Sequence, residues 1–176
     1  EKFTRKDWDS APPTHDHLGI LRSKATEQII WGGNYFILPP SRAWLVWFKP
    51  DIAPSMGQCE LAWTNLGQTA KVLTHSISAT GLERVRSGNG HPTQKPLPLI
   101  LWCLEMAPKA RTVLDPYMGS GTTGVACAKR GLTFTGIEID PEYFDLSCRR
   151  IEEAYRQPDL LVQAPVQMEQ TSLVLD

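Results

Sequence analysis

A chain of 176 residues, 41% hydrophobic and 21% charged, has the size and composition of one soluble domain with a full core. Its net charge of −1 excludes a global basic field that would gather nucleic acid, so any such face must be a local patch. The four cysteines, Cys59, Cys103, Cys127 and Cys148, lack the close spacing of a zinc site and lie in apolar runs, which predicts buried free thiols in a reducing compartment.

In chain order, residues 1–27 are polar with a proline pair and read as a loop followed by a short helix near Leu18–Ala25. "QIIWGG", "AWLVWFK", "CELAWTN" and "KVLTHSI" read as four strands, punctuated by glycine, proline and polar residues. "SATGLERVRSGNGHPTQKP" is a glycine-rich, basic loop, and "LPLILWCLEMA" is apolar nearly all round, as a buried helix is. "TVLD" is a short apolar strand, and "TTGVACAKRG" a helix stopped by Gly131. "TFTGIEID" is another strand. Asp140 caps a final helix, "PEYFDLSCRRIEEAYR", with Pro141 in its first position. Strand–helix alternation in this second half predicts a parallel sheet covered by helices. No apolar run spans a bilayer and no signal peptide is visible, so no membrane association is expected.

The chemistry concentrates in "RTVLDPYMGSGTTGVACAKRG", residues 111–131. Gly119, Gly121 and Gly124 fit G-x-G-x-x-G between a strand and a helix, and Glu138 ends the next strand 19 residues after Gly119. Glycines allow close backbone approach to a ligand, and an acidic group at that strand end can accept both hydroxyl protons of a ribose. NAD and S-adenosylmethionine both suit this frame. A dinucleotide site runs its strand straight into the first glycine, leaving the helix N-terminus bare for a pyrophosphate. Here Asp115 and "PYM" intervene. A carboxylate there repels a pyrophosphate and suits an ammonium or sulfonium cation, which favours S-adenosylmethionine. A NAD-type oxidoreductase on the same turn is the alternative.

"DPYMGSGTTG" resembles the cofactor motif of the DNA amino-methyltransferases, with Tyr117 where phenylalanine is common. "HPTQKPLPLI" is similar to the family segment ahead of the cofactor strand, and "GIEID" with "PEYFDLSCRRI" to its ribose strand and following helix. "QIIWGGNYF" and "WLVWFKP" are similar to strands of phage and bacterial adenine-specific members. The order of these segments, catalytic half first, is similar to the β-type arrangement. The resemblance implies a Rossmann-like α/β fold, a mixed but mainly parallel sheet with helices on both faces, in a single methyltransferase domain. Within it, 28–68 supplies catalytic-half strands, 69–90 a short target-recognition loop, 91–156 the cofactor half and 157–176 a tail. It implies S-adenosylmethionine as cofactor, held by Thr93, Lys95, Asp115, Pro116, Gly119, Ser120, Gly121, Thr122, Thr123 and Glu138.

The implied reaction is methylation of an exocyclic amine of a flipped base in DNA, adenine N6 ahead of cytosine. The implied setting is restriction–modification in the cytoplasm of a bacterium or phage-infected host, and a homodimer is an expectation. The family's catalytic tetrapeptide, Asp/Asn/Ser-Pro-Pro-aromatic, is absent: Pro12-Pro13 stands between Ala11 and Thr14. That motif orients the amine and stacks the base. Its absence implies a motif upstream of Glu1, with "DWDS" following it, or else an inactive methyltransferase-like DNA-binding protein. With no basic surplus, DNA binding is expected from Lys71, Arg84 and Arg86. His15 and His17 read as a solvated loop rather than a metal pair, and the tryptophans as core. Asn34, after "GG", is placed to face a ligand crevice.

Overall fold

The computed structural model describes residues 12–53, 55, 57–78 and 94–156. The chain divides into two units, one ending at Ala110 and the other beginning at Arg111. The boundary falls inside the 91–156 stretch that sequence treats as one half.

The first unit opens with helix α1, His15–Arg22. It starts earlier than expected because Thr14 caps it, its hydroxyl oxygen accepting from the His17 amide at 3.3 Å. His15 and His17 therefore sit on a helix, two residues apart, and that spacing does not bring side chains onto one face. Four strands follow: β1 Ile29–Trp31, β2 Trp44–Phe48, β3 Cys59–Thr64 and β4 Lys71–Thr74. All four were legible from their β-branched and aromatic runs. They form one sheet in the order β1-β3-β2-β4. β3 runs antiparallel to both neighbours, and only β2 and β4 are parallel, so this sheet is mixed.

Helix α2, Leu97–Met106, buries Leu99, Ile100 and Cys103. Cys103 packs with Leu45 and Ala62, flanked by Ile29, Trp31, Trp102 and Met106. Buried indoles need an acceptor for their one N–H. Trp47 Nε1 donates to the His75 carbonyl at 2.8 Å, Trp63 to Pro39 at 2.8 Å and Trp44 to Ser41 at 3.2 Å. These bonds tie the strands to the loops around them.

The second unit is β5 Thr112–Asp115, α3 Thr122–Arg130, β6 Thr133–Gly136 and α4 Pro141–Arg156. β5 and β6 are parallel, as the strand–helix–strand pattern predicts. α3 stops at Gly131, whose φ of 66° is left-handed. Asp140 caps α4 by accepting from the Glu142 and Tyr143 amides at 3.0 and 3.3 Å. β6 ends four residues short of the expected strand. Beyond Gly136 the chain pairs with the glycine turn instead: the Ile137 amide donates to the Asp115 carbonyl, and the Met118 amide to the Ile137 carbonyl. The cysteine expectation needs correcting at two positions. Cys103 and Cys127 are buried, and burial pushes both thiols up to about 12. Cys59 is exposed and Cys148 half-buried.

Candidate functional site

In the second unit, the glycine turn joins the carboxyl end of β5 to the N-terminus of α3. Gly119 and Gly121 both take positive φ, 52° and 76°. At this turn the chain folds back so that the Gly119 amide faces Glu138, donating to its Oε2 at 2.8 Å. Glu138 Oε1 accepts from the Asp140 amide at 2.8 Å. One carboxylate therefore ties the turn to the start of α4.

Sequence reads these glycines as openings for a ligand, but for two of them the structure supplies another reason. A Cβ on Gly121 would stand 2.7 Å from Ser147 Cβ, and one on Gly124 2.3 Å from Ile151 Cδ1. Both positions must be small because α3 lies directly on α4. Arg150, which sequence reasoning missed, reaches from α4 to the Ser120 carbonyl and braces the turn from below.

Asp115, at the end of β5, is the most informative group. Its Oδ2 accepts from the Thr123 hydroxyl at 2.6 Å and its Oδ1 from the Tyr117 amide at 3.1 Å. Burial pushes its carboxyl above the usual range, the nearby Glu138 charge adds to this, and the two hydrogen bonds oppose it. No basic group among the described residues contributes to that balance. A half-buried carboxylate beside a second acid, with no cation beside it among the described residues, favours a positively charged ligand. Thr122 Oγ1 is also buried and has no hydrogen-bond partner among the described residues. Asp115, Ser120, Gly121, Thr122, Thr123, Gly119 and Glu138 thus converge on one turn, with Pro116 in the strap between them.

The raised Asp115 carboxyl gives a pH prediction. A cation binds the ionised form, so its affinity should be full above the raised pKa and fall as pH drops through it. This loss should begin at a higher pH than an ordinary carboxylate would give. Calorimetric titration of S-adenosylmethionine across pH tests it. Asp115→Asn should weaken binding and flatten the profile, whereas an unchanged profile would show that Asp115 does not face the cation.

The first unit holds a charged cluster of its own, centred on Glu60 of the inner strand β3. Glu60 accepts from Lys49 Nζ at 3.1 Å and pairs with Lys95 Nζ at 3.0 Å. Burial pushes the Glu60 carboxyl up, but Lys95 and Lys49 outweigh it and hold the group below its usual value. Lys49 lies 5.2 Å from the Trp47 ring and Lys95 6.0 Å from the Trp31 ring. Lys95, expected to meet a cofactor carboxylate, thus has an acidic partner in its own unit. Sequence could not have found it, because Glu60 is a distant strand residue. Lys71 and Asn34 are exposed, as a contact surface requires. Thr93, Arg84, Arg86 and the "DWDS" stretch lie outside the described residues.

A family model described as DNA methylase, of the N6/N4 type, matches residues 23–149. The chain is 36% identical over 84 residues to Type II methyltransferase M.HinfI of Haemophilus influenzae, covering 46% of this chain and 23% of that protein. It is 34% identical over 115 residues to Type II methyltransferase M2.MboI of Moraxella bovis, covering 64% of this chain and 42% of that one. The chain thus spans less than half the length of these relatives. Among solved structures it is similar to the M1.HpyAVI–SAM complex at 27% identity, covering 61% of this chain and 60% of that one, with a TM-score of 0.43.

Proposed function

The chain belongs to the DNA methylase family of the N6/N4 type, and we propose that its second unit binds S-adenosylmethionine for methylation of an exocyclic amine in DNA, adenine N6 ahead of cytosine N4. The observation that carries this reading is the half-buried Asp115 carboxylate beside the glycine turn, which has a second acid and no cation near it among the described residues. The donor set fits the cofactor. Asp115 provides negative charge for its cationic methionine end, Glu138 provides strand-end oxygens for ribose hydroxyls, and Thr122 Oγ1 is a buried hydroxyl that a ligand's polar edge would satisfy. Bound there, the cofactor supplies an electrophilic methyl group. The protein's part is to orient it and to exclude water.

The wider reading is a Rossmann-like methyltransferase domain. Lys95 and Thr93 lie before α2 and serve the cofactor's methionine end, with Lys95 shared with Glu60. Lys71, Arg84 and Arg86 meet DNA phosphates across a short recognition segment, 69–90. In the family's reaction, an Asp/Asn/Ser-Pro-Pro-aromatic motif receives the amine's protons and stacks the base. The setting is a bacterial or phage-infected cytoplasm, in restriction–modification. The adenine preference is supported by the likeness of "QIIWGGNYF" and "WLVWFKP" to adenine-specific strands.

A ligand that binds only the native state raises its melting temperature by mass action. S-adenosylmethionine, or its demethylated product, should therefore raise the transition, and NAD should leave it unmoved. Stabilisation by NAD alone would overturn the reading in favour of an oxidoreductase.

A further inference from the structure

β1 and β2 both run antiparallel to β3, so β1, β2 and β4 point the same way. Trp31 ends β1 and Lys49 follows β2. The β2–β4 register, with Phe48 opposite Thr74, puts His75 opposite Lys49. Glu60 is paired with Trp47, so it shares the sheet face of Trp47 and Lys49. Lys95 joins them from the segment before α2. The cluster thus stands at the carboxyl ends of three strands, where α/β proteins place their ligand contacts.

Here one carboxylate serves two ammonium groups. Glu60 Oε1 takes Lys49 Nζ and Oε2 takes Lys95 Nζ, and neither lysine has a second acidic partner among the described residues. One positive charge is left over, and the Lys49 side chain is only 8% exposed. A charge withdrawn from water requires a counter-charge. The indoles of Trp47 and Trp31 face the two ammoniums but supply none. Each ammonium has three N–H groups, so donors remain after Glu60 is satisfied. The Lys95 and Glu60 side chains are 30% and 36% exposed, which leaves the cluster open to an ion. A second observation points the same way. His75 Nε2 is buried and has no hydrogen-bond partner among the described residues. It carries a proton in one tautomer, and an oxyanion beside Lys49 would give it an acceptor.

We propose that Lys49 and Lys95, bridged by Glu60, form an oxyanion-binding site with His75 as a third donor. The ligand atom is a carboxylate or phosphate oxygen, either of which suits a lysine, a point charge without the planar fork of arginine. Glu60 neutralises one lysine in the free protein and leaves the other charge for the ligand. The site stands independently of the proposed function. Its occupant rests on that reading, and is the cofactor's carboxylate or a DNA phosphate. A purely structural ion cluster makes a different prediction. There, losing the Glu60 charge would destabilise the fold and leave anion affinity unchanged. In an anion site the same loss leaves two lysines without a counter-charge, so anions bind more tightly.

The experiment titrates the full chain with sulfate, chloride holding the ionic strength constant, and follows indole fluorescence, because Trp31 and Trp47 face the two lysines. Saturable binding is expected. It should be about tenfold weaker in Lys49→Met and in Lys95→Met, the scale of one charge-assisted hydrogen bond. His75→Ala should give a smaller loss. Glu60→Gln should melt at a lower temperature without sulfate, yet bind sulfate more tightly. Should Lys49→Met fail to fold, Lys95→Met, at the more exposed position, carries the same test. No saturation in the parent, parental affinity in the lysine variants, or weaker sulfate binding by folded Glu60→Gln would each overturn the proposal. Competition then identifies the occupant. Displacement of sulfate by S-adenosylmethionine, but not by its decarboxylated analogue, supports the cofactor carboxylate. Displacement by a DNA duplex without cofactor supports a phosphate. Displacement by neither would overturn both occupants, and the function proposed for Lys95 with them, while the anion site itself stands.

Discussion

Replacing Glu138 by alanine should weaken S-adenosylmethionine binding by about 2–3 kcal/mol, the range for hydrogen bonds to a charged group. The side chain sits where β6 has ended, and its two oxygens already hold the Gly119 and Asp140 amides at 2.8 Å each. A carboxylate oxygen has more than one lone pair, so it can keep these donors while receiving a ribose hydroxyl. Alanine therefore removes a ligand contact and also frees the turn from α4. Glu138→Gln separates the two effects. Its remaining oxygen can hold one amide, but its NH2 cannot accept a hydroxyl proton, so its affinity should fall between parent and alanine. The check is a calorimetric titration of all three proteins, with urea melts to show that each remains folded. Parental affinity in the alanine variant would remove Glu138 from the site.

Gly121→Ala should destabilise the protein by about 2–5 kcal/mol, through two additive causes. A left-handed φ of 76° costs an L-residue about 1–2 kcal/mol. The new methyl would stand 2.7 Å from Ser147 Cβ and 3.0 Å from Ser147 Cα, and overpacking of this kind costs about 1–3 kcal/mol. Because the nearest atoms include backbone, side-chain rotation cannot relieve the clash. Gly131 is the natural control. It has a similar φ of 66°, but a Cβ there meets nothing within 4 Å, so Gly131→Ala should show the dihedral cost alone. Adding Ser147→Gly to the Gly121→Ala protein should recover part of the packing cost and none of the dihedral cost. Denaturant melts measure all four proteins. Equal losses at Gly121 and Gly131 would show that α3 and α4 do not meet closely in solution.

Much of this was legible in the sequence wherever the signal was local. Asp140 before Pro141, Gly131 after Arg130, and the aromatic and aliphatic run of β2 each specify their structure through neighbours a few residues away. The convergence of Asp115, the glycines and Glu138 was legible too, because a strand–turn–helix–strand unit brings its turn and its second strand end together. What sequence could not give were pairings across long separations. Glu60 takes both Lys49 and Lys95, Asp51 takes residues 76–78, and Arg150 takes the Ser120 carbonyl. None follows from periodicity. The glycines were assigned correctly to the turn, but the packing of α4 against Gly121 and Gly124 depends on a helix that comes later in the chain.

All six tryptophans of the chain, at 8, 31, 44, 47, 63 and 102, belong to the unit that ends at Ala110, and the unit from Arg111 contains none. Indole fluorescence therefore originates wholly in the first unit, from side chains that include the carbonyl-bonded indoles of Trp44, Trp47 and Trp63. The unit that carries Asp115 and Glu138 holds three of the four tyrosines, Tyr117, Tyr143 and Tyr155, the fourth being Tyr35 in the first unit. With no label added, tryptophan thus reports on the first unit, while the tyrosine signal is weighted three to one toward the second. Melting curves from the two signals should coincide if the units unfold together and separate if they do not.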